Sequence, residues 1–378
     1  MDEQISQQVN TNNQPDQEPT TKSPMLETLD QVESTLRQHF EIKDWQGIRI
    51  ILGAAAAHYS IGQMLWLRIV GPSRSGRTEL LRCISKHPDC ERMEVITPSA
   101  LRGGFKKKNE DRLLTRLNNK LVITKDLAAL LTARLDMRTE VFGLLRPLKD
   151  GELVADYGSD EGHLPQYCYF DWLIATTQLF EQHRIMESLL GERFVDLRWR
   201  PGNREEMAYR AGLNNPYLNS TIRPKVTADI ISLLNRAKID ARSVTLTDSE
   251  IRDISKLADK AAIMRTPVVR DRQRNVIQTP EPEVGTQLTQ DFCRISIGLK
   301  ILGITDYIPY LIRLVWDCMP KVRASVLKCL LDDGRATSED IAKQVLVSER
   351  TVRYAREDLE LLGVDREFCK QIYITNIN

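Results

Sequence analysis

The chain has 378 residues, enough for two or three domains, and its 53 basic residues face 52 acidic ones, so overall charge argues neither for nor against a nucleic-acid partner. Its seven cysteines are scattered with no C-x-x-C pair, and the five histidines make no ligand spacing with them, which argues against a zinc site or disulfide framework and for reduced thiols. No apolar run reaches membrane-spanning length and the first residues lack a signal-peptide layout, so a soluble, cytoplasmic chain with no membrane partner is expected.

Residues 1–24 are Gln, Asn, Asp, Glu, Thr and Pro with almost nothing to bury, and they predict a disordered tail. Helical periodicity begins at Met25 and runs through Leu29, Val32 and Leu36, and a second helix is expected over 45–59. An apolar strand over 64–70 then meets a small-residue loop. Gly71 and Gly76 stand at the ends of the G-x-x-x-x-G-K-[ST] spacing, with Pro72, Ser73 and Ser75 between them and Thr78 in the hydroxyl position. Such a loop turns successive backbone N–H groups inward, and the following helix aims its positive end at an anion. The departure is Arg77, where the motif has lysine: the charge is kept, but on a planar and bulkier fork. The plain alternative is an ordinary strand–turn–helix.

Further strands are expected over 91–96, 121–124 and 169–176, separated by helical segments, which argues for a parallel sheet covered on both faces. The second is followed by a loop carrying Lys106, Lys107 and Lys108, either a grip on a nucleic-acid backbone or a solvated loop. Asp126 ends the third strand. A carboxylate there can hold Mg²⁺ through water, or it can cap the helix expected over 127–135. Asp150-Gly151 reads as the turn of a β-hairpin inserted before the fourth strand, with Lys149 at its tip. That strand ends in Thr176, Thr177 and Gln178, polar groups where a γ-phosphate could be sensed. Next comes Gly191-Glu192-Arg193-Phe194, an arginine between apolar anchors.

Together these pieces resemble an AAA+ ATPase of the branch with a β-hairpin before the sensor strand, which includes the minichromosome-maintenance helicases. Within it they are similar to a loosely described group of ATP-binding proteins of phages, plasmids and mobile elements. The resemblance covers roughly residues 45–318. It implies that ATP and Mg²⁺ are the ligands, with Gly76, Arg77 and Thr78 meeting the phosphates and metal. It makes Asp126 the metal-side acid, Thr177 or else Gln178 the first sensor, and Arg193 a finger reaching a neighbouring subunit's nucleotide. The alternative for Arg193 is a local pair with Glu192 or Asp196. A finger in trans implies a homo-oligomer, a ring or a filament. The arginine at 77 and the lack of an acidic pair after the third strand both weaken the expectation of fast hydrolysis.

Helices over 205–211, 227–238 and 247–264 fit the family's helical lid, and two more are expected over 286–302 and 307–318. A second-sensor arginine near residue 286 is missing; Arg294, two turns on, is its stand-in or a solvated charge. The C-terminal stretch is a different signal. A helix over 320–331 stops at Asp332-Asp333-Gly334, a short capped helix covers 338–345, and Ser348 caps a longer one over 349–359. Ser348, Arg350, Thr351, Arg353, Tyr354 and Arg356 face outward on it, the layout of a helix-turn-helix whose second helix enters the DNA major groove. Residues 365–374 alternate as for a small wing. The expected fold is α/β: a P-loop AAA+ parallel-sheet core over 25–200, a helical lid over 201–318 and a winged helix-turn-helix over 319–378. The expected function is a helicase- or translocase-like ATPase acting on DNA. The alternative is a nucleotide-gated loader, initiator or regulator with little hydrolysis.

Overall fold

Short apolar runs between turn residues assemble into one parallel sheet. The computed structural model describes residues 24–102, 112–155, 164–182, 193–278 and 280–374. Its strands are β1 (Trp66–Val70), β2 (Cys90–Arg92), β3 (Lys120–Thr124), β4 (Glu152–Ala155), β5 (Leu164–Tyr167), β6 (Phe170–Thr176) and β7 (Val195–Arg198). Five of them form a sheet in the order β2-β3-β6-β1-β7, all pairs parallel. β1 and β6 are buried along their whole length, as strands covered on both faces must be. Leu67 and Ile69 face one apolar cluster, while Trp66 and Val70 face the other with Trp172, Phe170 and Phe194. Arg68 is fully buried on the same face as Trp66 and Val70, over the Phe180 ring at 3.4 Å, and donates to Asp196 at 2.6 Å.

The helices used below are α1 (Pro24–His39), α2 (Trp45–Ala57), α3 (Arg77–Ile84), α4 (Leu135–Lys149), α5 (Arg204–Asn214), α6 (Arg223–Asp240) and α7 (Asp248–Arg265). They continue with α8 (Thr286–Ile301), α9 (Ile308–Cys318), α10 (Lys321–Asp332), α11 (Ser338–Val345), α12 (Glu349–Leu361) and α13 (Arg366–Ile374). α6 packs on α1 and α3, α8 lies against α2 and α7, and α9 packs on β7. α2 and α8 cross so closely that a Cβ on Gly298 would sit 1.9 Å from the Gly53 carbonyl oxygen. Gly298→Ala is therefore expected to cost about 2–3 kcal/mol in denaturant unfolding. Gly143→Ala in α4, where a Cβ meets nothing within 4 Å, should be neutral or stabilising by about 0.5–1 kcal/mol.

Four expectations are corrected. Asp150 and Gly151 join α4 to β4, with Gly151 at φ +94°. β4 pairs antiparallel with β5, so the hairpin exists, but its tip falls within 156–163, outside the described residues. Lys149 is no lever: it is buried and donates to the Met64 carbonyl and, at 3.0 Å, to Asp291. The helix expected over 127–135 is a single turn, Ala128–Leu131, and α4 begins separately at Leu135. Residues 366–374 form α13, not a wing. Asp365 Oδ1 accepts from Phe368 N at 2.8 Å, and Phe368, Cys369 and Ile372 bury one helical face. The tail at 1–23 and Lys106 to Lys108 lie outside the described residues.

Candidate functional site: a glycine loop at the carboxyl edge of the sheet

The loop from Gly71 to Gly76 leaves the carboxyl end of β1 and enters α3. The sheet register puts Val70 beside Thr176 and Thr124 beside Ile174, so Gly71, Asp126 and Thr177 all emerge at one edge. Arg74 (φ 58°) and Gly76 (φ 89°) take the left-handed conformation that bends the loop. The backbone N–H groups of Ser75, Gly76, Arg77 and Thr78 donate to no backbone carbonyl among the described residues. A Cβ on Gly76 would meet nothing within 4 Å. Those open donors at a helix start are the elements of an anion nest.

The side chain of Arg77 does something else. It is only 4 % exposed and folds back beneath the loop. Nη1 donates to the Ile69 carbonyl at 2.9 Å and to that of Thr176, Nη2 to Pro72 O at 3.0 Å, and Nε to Ser75 Oγ at 3.2 Å. Burial pulls its pKa down to about 10, partly offset by the charge of Asp126, so it stays a cation near neutrality. The guanidinium thus braces the loop from within, a task that a planar five-donor fork performs and a lysine does not.

The remaining candidates divide. Thr78 is half-buried at the first turn of α3. Asp126 is exposed and its Oδ1 accepts from Ala128 N at 2.9 Å, a turn contact ahead of the true N-cap, Leu127, while its place at the strand end keeps it beside the loop. One hydroxyl and one carboxylate are a donor set suited to Mg²⁺, which keeps most of its water, so Thr78 and Asp126 fit the metal the resemblance implies. Thr177 Oγ1 accepts from Leu179 N at 3.4 Å, and Gln178 Oε1 accepts from Lys321 Nζ at 3.2 Å. Pro72 and Ser73 are exposed on the loop's crest, and Ser75 is buried.

Arg193 precedes β7 and so lies at the opposite, amino edge, roughly 20 Å from the loop by strand rise. It is half-buried and its Nε has no partner among the described residues. Asp196 pairs with Arg68, and Glu192 is outside the described residues. Arg294 is neither sensor nor solvated. It is buried against Asp171 at 3.1 Å and donates to Ser60, beside the amino end of β6.

Several residues escaped the sequence reading. Trp199 donates from Nε1 to the Ser75 carbonyl at 2.9 Å and from its backbone to Val70 O at 2.9 Å. Its neighbour Arg198 donates to Met319 O at 2.6 Å, and the Arg198 backbone N–H donates to Asp317 at 3.0 Å. Arg223 of α6 grips Glu79 of α3 at 2.8 Å, hooking α6 to the helix that follows the glycine loop. The run Phe194 to Pro201, apolar then Arg-Trp-Arg-Pro, was the available signal for the first pair.

At the C-terminal helices, α11 begins with a capping box between Thr337 and Asp340 and ends at Leu346 in the left-handed conformation (φ 60°). Ser348 caps α12 through Thr351 N at 3.1 Å. α12 packs on α10 and α11 through Val352, Ala355 and Leu359. Arg350 and Arg353 are exposed, with Arg350 Nε on the Tyr354 hydroxyl at 2.7 Å and Arg353 loosely paired with Glu349. Arg356 departs from the expectation: it turns inward to Ser338 Oγ and the Ala336 carbonyl at 3.3 and 3.4 Å. Arg270 stacks on Tyr354 and pairs with Glu357 and Asp358, and Arg323 joins Asp358 to the Met264 and Thr266 carbonyls. The C-terminal helices therefore continue the apolar core rather than stand apart from it.

No protein-family model matches the chain. No curated protein matches it. Among solved structures it is similar to one from Cytophaga hutchinsonii assigned as a candidate ATPase, with 11 % identity and a TM-score of 0.47, covering 86 % of this chain and 95 % of that one. At that score the likeness carries no functional weight. No helix among the described residues is long and apolar enough to cross a membrane.

Proposed function

We propose that this chain is an ATP-binding protein of the AAA+ kind that acts on DNA, and that nucleotide gates its DNA contact rather than driving a fast motor. The observation that carries the reading is Arg77 held on the Ile69, Pro72 and Thr176 carbonyls. Phosphates are left to the backbone N–H groups of the nest, without the mobile ammonium that a hydrolysing loop uses to neutralise developing charge. Asp126, the acid that follows β3, is exposed and bonded to Ala128 N, with Thr124 and a Lys125 already paired to Glu94 beside it instead of an adjacent second carboxylate. ATP and Mg²⁺ fit the nest and the Thr78 and Asp126 donors. Arg193 is the group for a neighbouring copy, since its edge of the sheet faces away from its own loop.

DNA is assigned to the exposed face of α12, with Ser348, Arg350, Thr351, Arg353 and Tyr354 as the contacts. The path between the two sites is short: Gln178 meets Lys321 at the start of α10, and Trp199-Arg198 links the loop to Met319. The second reading, a helicase or translocase of a mobile element or phage replication system, keeps the same sites but requires DNA-stimulated turnover. A titration of labelled ATP with and without DNA, followed by turnover assays, separates the two. The gated reading expects ATP to bind, DNA affinity to change with ATP, and turnover to stay slow when DNA is added; brisk DNA-stimulated turnover overturns it. Thr78→Val is expected to weaken Mg²⁺-dependent ATP binding about tenfold or more in calorimetry, leaving the Mg²⁺-independent part intact.

A further inference from the structure

A cleft of about 340 Å³ opens where α9, α10 and α13 meet the segment after β7. Its walls are Ile312, Pro309 and Leu331, and its aromatic members are Trp316 and Tyr373. Trp316 is only 8 % exposed, yet its indole Nε1 has no hydrogen-bond partner among the described residues. That nitrogen is itself shielded from solvent, so Trp316 lines the cleft with its ring rather than its N–H. Tyr373 is 53 % exposed and lines the cleft.

The charges on the rim select the visitor. Lys328 is exposed and lies 5.7 Å over the Trp316 ring, with no ion pair among the described residues. The Arg200 side chain is 58 % exposed and reaches Asp317 only at 4.0 Å. Arg313 also lines the cleft but is committed to Asp44 and Asp317, so it adds no free charge. Asp332 is the lone acid on the lining, able to accept from an amino or hydroxyl group. One exposed ammonium, one loosely paired guanidinium, an open aromatic face and apolar walls suit a planar base that carries a phosphate.

We infer that this cleft binds a single nucleotide unit, with the base against Tyr373 and the phosphate between Arg200 and Lys328. The volume is sufficient for one unit, and none of the lining residues belongs to the glycine loop. The same chemistry comes from a free mononucleotide or from one nucleotide of a single strand.

The test uses the full chain and two probes: a fluorescent adenosine monophosphate by equilibrium dialysis, and a fluorescein-labelled oligothymidylate by anisotropy. Tyr373→Ala and Lys328→Glu, both at exposed side chains, are each expected to weaken binding about fivefold or more. Loss for the monophosphate identifies a free nucleotide, and loss for the oligonucleotide alone identifies a strand. Trp316→Phe should remove the quenching of tryptophan fluorescence that the bound probe causes. If wild type binds neither probe, or both variants bind both probes as wild type does, the inference is wrong.

Discussion

Arg77→Lys is expected to raise ATP turnover at least about tenfold over wild type in a steady-state phosphate-release assay. Lysine cannot bridge the Ile69, Pro72 and Thr176 carbonyls and Ser75 Oγ together, since it has one nitrogen where arginine has three arranged in a plane. Its ammonium is free to leave the loop's underside for the phosphates, where a positioned charge is worth a factor of ten for each 1.4 kcal/mol of transition-state stabilisation, by the usual arithmetic of about 1.36 per decade. Arg77→Ala has the opposite character. It strips the brace and leaves buried carbonyls without their donor, a loss of about 2–3 kcal/mol that should lower the thermal midpoint by roughly 5 °C. Should the lysine variant turn over no faster, the brake lies at Asp126 rather than at Arg77, and the single acid becomes the reason for slow chemistry.

The second large effect concerns α12. Arg350→Ala combined with Arg353→Ala is expected to weaken DNA binding by about 1–3 kcal/mol for each arginine that reads a base, or to flatten the salt dependence by about one unit for each that meets a phosphate. Both side chains are exposed, so the fold should survive the change. Arg356→Ala is the internal comparison. Because that guanidinium holds the Ala336 carbonyl and Ser338, its removal should lower stability while leaving affinity, once corrected for the folded fraction, nearly unchanged. Salt-titrated anisotropy on both variants distinguishes the two behaviours. Equal binding by wild type and the double variant removes DNA from α12.

What the sequence made legible was local. The strand, glycine loop and helix from Trp66 to Ile84 follow from an apolar run, two glycines and a return of helix formers, and the capped pair α11 and α12 follows from Thr337 and Ser348 at their starts. The errors share a cause, a partner far away in the chain. Lys149 looks like a hairpin tip beside Asp150-Gly151, but it is drawn inside by Asp291, 142 residues on. Arg294 looks solvated until Asp171 is brought against it. The stretch from Arg366 to Ile374 fits either period over so short a run, and the apolar face offered by the neighbouring helices decides for a helix. Position 77 shows the limit most clearly. The identity of the residue was visible, and its departure from lysine was visible too, but the direction of its side chain depends on carbonyls from two strands and the loop.

Arg198 and Trp199 are consecutive, and one reaches the C-terminal helices while the other holds the carbonyl of Ser75. Because adjacent side chains at a strand end leave on opposite sides, the spacing of these two contacts is fixed by a single peptide unit. Lengthening the chain between them by even one residue would keep Arg198 in its β7 register but turn Trp199 to the other side and sever its hold on Ser75. That junction should therefore reject insertions that the outlying turns of the same chain accept.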